Sequence, residues 1–413
     1  MNKAFIKKYG TLLLLAAGAG IIFQLPYIRE TFYVPIQNAM NLTNEQMGLL
    51  SAGYAAMATV SYFIGGIVAD KFSARKLLTF SFIATGGLGF WFSTFPGYEI
   101  SRIIFVLMGI STIITYWSAC IKATRMLGDS SEQGRLFGLQ EGLRGILNAI
   151  LVFGMTAAFV SFTDEIEGAS AAIKVCSGVC IIIGILNYIF IEDTKAEEQT
   201  ESMVDIFKGM VKVLFIPRVW VLIAIVFTAY SVYGLIGYIN TFAIKYYGLS
   251  AASGATLGGI RYLVQGVGGI IGGFLADKMH SRIKVIGIGA VLLAISFAVY
   301  IVLPSDAVYL NAVIINFMLG LFFIYAVRSQ YFAVIDDAGI PVNLTGRVSG
   351  IVSCLGYTPD LFMYTLVGSW MDTYGRAGFD MTWAYAVVCA ILCVVFSIIL
   401  SKLIKKPLSS FNN

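Results

Sequence analysis

The sequence predicts an all-α polytopic membrane protein with twelve transmembrane helices in two pseudo-symmetric six-helix bundles. Three observations predict it. First, 58% of the 413 residues are hydrophobic and 12% are charged, where an ordinary soluble domain carries roughly 25% charge. No water-soluble fold of this size hides so much apolar sequence. Second, the apolar residues gather into stretches of about 20, the length that crosses a hydrocarbon core about 30 Å thick. Third, two short stretches nearly repeat. Gly66, Asp70, Lys71 and Arg75 recur in type and spacing as Gly273, Asp277, Lys278 and Arg282, 207 residues further on and half of the chain away. Charged punctuation repeated at half the length marks two related halves.

In order, the spans are read at about 9–33, 45–69, 77–96, 100–124, 136–161, 169–191, 219–243, 251–276, 284–303, 308–330, 346–370 and 381–401. The first opens on Lys3, Lys7 and Lys8 and passes through Ala16-Ala17-Gly18-Ala19, a pattern that mimics a secretory signal peptide. Its apolar run continues to Tyr27, and cleavage would break the count of twelve, so it is read as an uncleaved span. Connections are short except residues 192–218, which are polar and charged and separate a bundle at 1–191 from one at 219–413. Within that linker Val204, Phe207, Val211 and Leu214 recur at helical spacing, which predicts an amphipathic helix at the membrane surface.

Orientation follows from the basic residues. Lys3, Lys7, Lys8, Lys71, Arg75, Lys76, Arg125, Arg135, Lys195, Lys208, Lys212, Arg218, Lys278, Arg282, Lys284, Arg347, Lys402, Lys405 and Lys406 fall on one side; only Arg102, Lys174, Lys245 and Arg376 fall on the other. The positive-inside rule then puts both termini and the linker in the cytoplasm, with the chain in the inner (cytoplasmic) membrane. The net charge of +5 is explained by this asymmetry, and nucleic acid is not an expected partner. The lipid bilayer is, and the chain is read as a monomer.

Small residues at four-residue spacing, Gly254/Gly258, Gly268/Gly272 and Gly269/Gly273 in span 8 and Gly138/Gly142 in span 5, predict close helix packing. The six cysteines include Cys176/Cys180 and Cys389/Cys393 at one-turn spacing. They are read as small buried residues rather than metal ligands. No metal and no cofactor is expected. One histidine, no nucleophile motif and no metal spacing leave nothing to run chemistry, so the chain is not read as an enzyme.

Charges inside hydrocarbon are costly, at least about 2.5–3.5 kcal/mol each, and tend to face a cavity or one another. They occur at Arg29 and Glu30 in span 1, Lys122 in span 4, Glu141 and Arg144 in span 5, Arg261 in span 8, Arg328 in span 10 and Asp360 in span 11. Spans 3 and 12 have none, span 9 has none past Lys284 at its first position, and span 6 has only Lys174 near its outer end, as expected of outer supports facing lipid. Arg144 lies ten residues past Gly134, near the midplane, with Glu141 on the same face one turn earlier. Two readings stand for that pair, a structural ion pair or part of the site. Arg29 is read as cavity-lining or as snorkelling outward, and Lys122 and Arg328 as substrate contacts or as gate charges near the span ends. Bases outnumber acids five to three, and surplus positive charge in a cavity attracts anions. Arg29, Arg144, Arg261, Lys122 and Arg328, with Trp117, Tyr233 and Tyr262, are the candidate substrate residues; Glu141, Asp360 and Glu30 are the candidate proton carriers.

The twin stretches, Gly-x-x-x-Asp-Lys-x-x-x-Arg between the second and third span of each half, resemble the signature of the major facilitator superfamily. The resemblance covers essentially the whole chain. It implies alternating access, with spans 1, 4, 7 and 10 lining a central site and spans 3, 6, 9 and 12 outside. Ser73 and His280 stand where the motif usually has glycine. Within the superfamily, Tyr27-Ile28-Arg29-Glu30-Thr31-Phe32 followed by Pro35, and the stretches around Gly134-Arg135 and Gly346-Arg347, are similar to the organophosphate/organic-anion, sugar-phosphate-permease-like branch. Phosphate-ester antiporters of that branch hold phosphate between arginines of spans 1 and 7. Arg29 matches the first, Val232 stands at the second, and Arg261 is the available substitute. The proline-bearing span-5 signature of drug/proton antiporters is missing from residues 138–154.

The leading expectation is a secondary transporter that moves a small organic anion (a carboxylate, sugar acid or phosphorylated or sulfonated sugar) together with protons. An organophosphate-type anion exchanger and a transporter-like ligand sensor are the alternatives. The twin motifs, away from the cavity bases, are read as latches of the outward-facing state, with Asp70 and Asp277 near the starts of spans 3 and 9, where helix N-termini favour negative charge.

Overall fold

Polar caps and prolines written into the sequence mark where several of the spans start and break. The computed structural model describes residues 3–128, 133–192, 211–340 and 342–405, and among these there are helices and turns but no strand. Thr43 and Gln46 form a reciprocal capping box at the start of span 2 (Asn44–Lys71), satisfying two backbone donors that a helix start leaves open. The Ser73 hydroxyl accepts from Lys76 N to start span 3 (Ala74–Phe92), and Asp164 accepts from Ile166 N and Glu167 N to start span 6 (Glu165–Phe190). Span 5 is Gln133–Val160, span 8 is Ala251–Met279, span 9 is Arg282–Val302 and span 12 is Arg376–Leu403. Among the described residues, eight helical stretches are long and apolar enough to cross a membrane by length and composition.

Among the described residues, three spans are interrupted. Span 1 runs as Lys3–Ile21, a turn over residues 22–28, then Arg29–Met40. Pro26 lies in that turn and offers no backbone N–H; around it the bonding tightens to one residue closer, as in Gln24 N to Ile21 O at 3.0 Å and Ile28 N to Leu25 O at 3.2 Å. Span 7 runs as Pro217–Leu235 and Gly237–Tyr247. Span 11 runs as Val342–Gly356, a 3₁₀ turn Thr358–Leu361 containing Pro359, and Met363–Tyr374. Span 4 is continuous but widened: a π-helical segment, Ile110–Trp117, separates Tyr98–Gly109 from Ser118–Arg125, a distortion that recurs at functional sites. Span 10, Leu310–Arg328, is followed by a short helix, Val334–Asp337.

The chain divides into two compact units. Unit 1 comprises Met1–Gln199, Leu249–Leu263 and Tyr364–Ser369; unit 2 comprises Thr200–Gly248, Val264–Met363 and Trp370–Asn413. Within unit 1 span 3 packs along span 6, and within unit 2 span 9 packs along span 12. Their outer faces carry exposed apolar side chains such as Phe80, Ile189, Ile295 and Ile391. In unit 1 spans 2 and 11 meet through reciprocal glycines. A Cβ on Gly48 would lie 2.3 Å from the Tyr364 carbonyl oxygen, and one on Gly368 would lie 2.3 Å from that of Asn44. In unit 2 Gly268 and Gly272 form a close face against span 10, where added Cβ atoms would meet Phe322 and Ala326, whereas Gly269 and Gly273, like Gly142 in unit 1, face open space. Glycine spacing alone does not tell these faces apart. The helix expected around Val204 to Leu214 lies for the most part outside the described residues.

Candidate functional site

The interruptions place the buried charges. In unit 1 Arg29 is the first residue of the outer half of span 1, and Glu30 follows it. Arg29 is 5% exposed, and its guanidinium stacks over the Tyr364 ring, 3.6 Å from the centroid, so it lies inward and does not snorkel. The Glu30 Oε2 accepts from Arg261 Nη1 at 2.5 Å, with side-chain exposures of 8% and 5%. Beside this pair the Gln24 amide, within the turn, donates to the Tyr262 hydroxyl at 2.7 Å. Discontinuous helices at membrane depth expose backbone and polar side chains only where these line a cavity or are buried in protein. Transporters use such breaks to build ion and substrate sites.

The other unit 1 candidates are more dispersed. Arg144 is half-buried on span 5. The Lys122 ammonium reaches the Ala69 carbonyl at 3.5 Å, at the end of span 2. Trp117 closes the π segment, its ring 6.3 Å from Phe23 of the span 1 turn. The Glu141 side chain, and with it the Glu141/Arg144 pair, lies outside the described residues.

Unit 2 carries a second cluster. Asp360 sits in the span 11 interruption, 5% exposed, and its Oδ2 accepts from the Tyr230 hydroxyl at 2.8 Å. Tyr357 packs on Tyr230 with ring centroids 4.5 Å apart, and Tyr233 lies 5.7 Å from Tyr230 and 6.0 Å from Tyr325. Arg328 lies over the Tyr233 ring at 4.1 Å. A guanidinium on an aromatic face is held by the ring quadrupole and keeps its N–H edges available. This arrangement offers a cation for an anionic group, hydroxyls for hydrogen bonding and flat faces for a ring.

The twin motifs differ in their turns. Ser73 takes an extended conformation and caps span 3 itself, while His280 takes φ +48° in the left-handed region and leaves the cap of span 9 to Ser281. The glycine-like turn thus persists in the second half only. Arg282 closes it: its backbone N–H and its Nη1 each donate to the Asp337 carboxylate at 2.8 Å. In the first half Arg75 lies 5.0 Å over the Tyr188 ring. Asp277 and Lys278 are exposed; Gly66 lies within the span 2 helix, and the side chains of Asp70 and Lys71 lie outside the described residues.

Sequence reasoning missed Gln24, Tyr364, Tyr357 and Asp337. Pro26 and Pro359 were the available signal, since each breaks a span beside the charged residues. The Glu30–Arg261 pairing spans 231 residues of sequence, and no local pattern carries it.

The chain resembles known proteins over nearly its whole length. The family model described as Major Facilitator Superfamily matches residues 9–359. Inner membrane protein YqcE of Escherichia coli (strain K12) is 31% identical over 382 residues, covering 90% of this chain and 89% of that protein. Inner membrane protein YihN of the same organism is 31% identical over 375 residues, covering 89% and 88%. The hexuronate transporter of Bacillus subtilis (strain 168) is 24% identical, covering 86% of each chain. Among solved structures, a bacterial homolog to the human lysosomal transporter Spinster, inward-facing and unoccupied, superposes with a TM-score of 0.81 at 14% identity, covering 99% and 100%. A D-xylose-proton symporter superposes with 0.70 at 14% identity, covering 97% of each chain. At such identities the structural likenesses speak to the fold.

Proposed function

The chain belongs to the major facilitator superfamily, and we propose that this transport protein is a secondary active carrier of a small organic anion. As a member it is a multi-pass membrane protein of twelve spans in two six-helix bundles, and not an enzyme. The observation that carries the anion reading is the buried set in unit 1, where Arg261 is paired with the Glu30 carboxylate and the neighbouring Arg29 lies buried against the Tyr364 ring. Arg261 is held by that carboxylate. A substrate carboxylate, phosphate or sulfonate has the same acceptor geometry and competes with Glu30 for the guanidinium. Proton uptake by Glu30 removes its charge and releases Arg261 for the anion, which couples the two. Arg144 supplies further positive charge, and Asp360 or Glu141 a second protonatable group.

A sugar acid is the favoured substrate. The tyrosines around Arg328 and Asp360 suit a hydroxylated ring with an anionic group, and a relative similar along most of its length is named a hexuronate transporter. Residues 1–191 and 219–413 act as the bundles that alternate, joined by 192–218, in a monomer with both termini in the cytoplasm. The test is uptake of labelled glucuronate by proteoliposomes with and without an inward proton gradient. Proton-driven accumulation, abolished in Arg144→Ala protein that remains folded, is the expected result. Counterflow indifferent to the gradient makes the protein an exchanger, and binding without counterflow makes it a sensor. Unchanged uptake in Arg144→Ala removes that residue from the site.

A further inference from the structure

At the membrane face where the chain begins, unit 1 contains a pocket of about 230 Å³ whose lining includes Lys7, Lys8, Thr11, Met126, Phe190 and Glu192. Its walls are helix ends: the first turns of Lys3–Ile21, the residue after Ser118–Arg125 and the last residue of Glu165–Phe190. The ends of membrane spans lie at the level of the lipid headgroups. Two features of the rim stand together there. Lys7 and Lys8 supply cations, while Phe190 and Met126 are 57% and 52% exposed. Large apolar side chains left open beside a basic pocket match a ligand that is anionic at one end and hydrocarbon at the other.

We propose that this pocket holds the headgroup of an anionic phospholipid. The phosphodiester sits against Lys7 and Lys8, the Thr11 hydroxyl faces the glycerol oxygens, and the acyl chains run along Met126 and Phe190. Basic pockets between helices at a membrane face recognise headgroups in this way. A free phosphate offers the same charge but leaves the apolar rim uncovered, which favours the lipid. Glu192 already forms an ion pair with Lys7, and both side chains are largely exposed, at 71% and 60%. Such exposed pairs are weak, so a headgroup displaces the carboxylate, and Glu192 sets the affinity by competing.

The experiment adds phosphatidylglycerol, phosphatidylcholine or inorganic phosphate to delipidated full-length protein in neutral detergent, read by native mass spectrometry and thermal unfolding. Phosphatidylglycerol alone is expected to bind and raise the melting temperature. Each surface charge changes affinity about fivefold. Lys7→Gln/Lys8→Gln should therefore bind about 25-fold more weakly, Lys7→Arg/Lys8→Arg should bind as wild type, and Glu192→Gln should bind about fivefold more tightly. Equal binding of both lipids, wild-type binding by the double Gln protein, no gain from Glu192→Gln, or equal stabilisation by inorganic phosphate overturns the proposal.

Discussion

Breaking the Glu30–Arg261 pair one side at a time tests whether it is a desolvated unit. At 8% and 5% exposure the two side chains are far from the surface regime, where an ion pair contributes about 0–1 kcal/mol. Removing one partner of a buried pair strands the other charge and costs about 3–5 kcal/mol, whereas replacing both by well-packed neutral groups is often close to neutral. Glu30→Gln and Arg261→Met are each expected to lower stability by about 3–5 kcal/mol. The double variant is expected to return to within about 1 kcal/mol of wild type, which makes the coupling in the cycle several kcal/mol. Denaturant unfolding of purified protein in mixed micelles, followed by tryptophan fluorescence, measures all three against wild type at constant m-value. Single variants within about 0.5 kcal/mol of wild type, with coupling near zero, refute the reasoning. The competition between Glu30 and the anion then loses its basis. A stable double variant that no longer transports separates the roles, because structure is restored while the anion-binding guanidinium is gone.

Three further predictions concern backbone. Gly368→Ala drives a methyl to 2.3 Å from the Asn44 carbonyl oxygen, so spans 2 and 11 must part, at an overpacking cost of about 1–3 kcal/mol or more. Gly269→Ala, facing open space on span 8, should instead stabilise by up to about 1 kcal/mol through helix propensity; thermal unfolding of both distinguishes contact from composition, and similar shifts contradict the packing. His280→Gly removes the strain of a side chain at φ +48°, worth about 1–2 kcal/mol, less the backbone entropy glycine adds to the unfolded chain, about 0.5–1 kcal/mol. A rise in melting temperature with Asp337 contacts retained is expected, and a fall means that the His280 side chain contributes more than its backbone conformation costs.

Much of the architecture was readable along the chain because its causes are local. Twenty-residue apolar stretches, the twin motifs and the absence of charge from the interiors of spans 3, 9 and 12 each follow from short windows of sequence. Arg29, Glu30, Arg261 and Asp360 stand out as buried charges by the same logic, since a charged residue in an apolar stretch is conspicuous without knowledge of its partner. Their arrangement was not readable. The sequence suggests pairing Glu141 with Arg144 at one-turn spacing, a local rule, while the pairing of Glu30 with Arg261 depends on how span 8 packs beside span 1.

By itself the sequence determined that this is a twelve-span membrane protein of duplicated halves, with a few buried charges and an excess of bases. Hydrophobic length, charge asymmetry and repeated motif are properties of the chain taken one segment at a time. Only the tertiary structure decided that Arg29 lies inward on Tyr364, that Arg261 is held by Glu30, that Asp360 accepts from Tyr230 and that Arg282 closes on Asp337. Each of these joins residues from different helices. Their proximity depends on helix rotation, interruption and close glycine contact, and those are set by packing across the bundle rather than by neighbours in sequence.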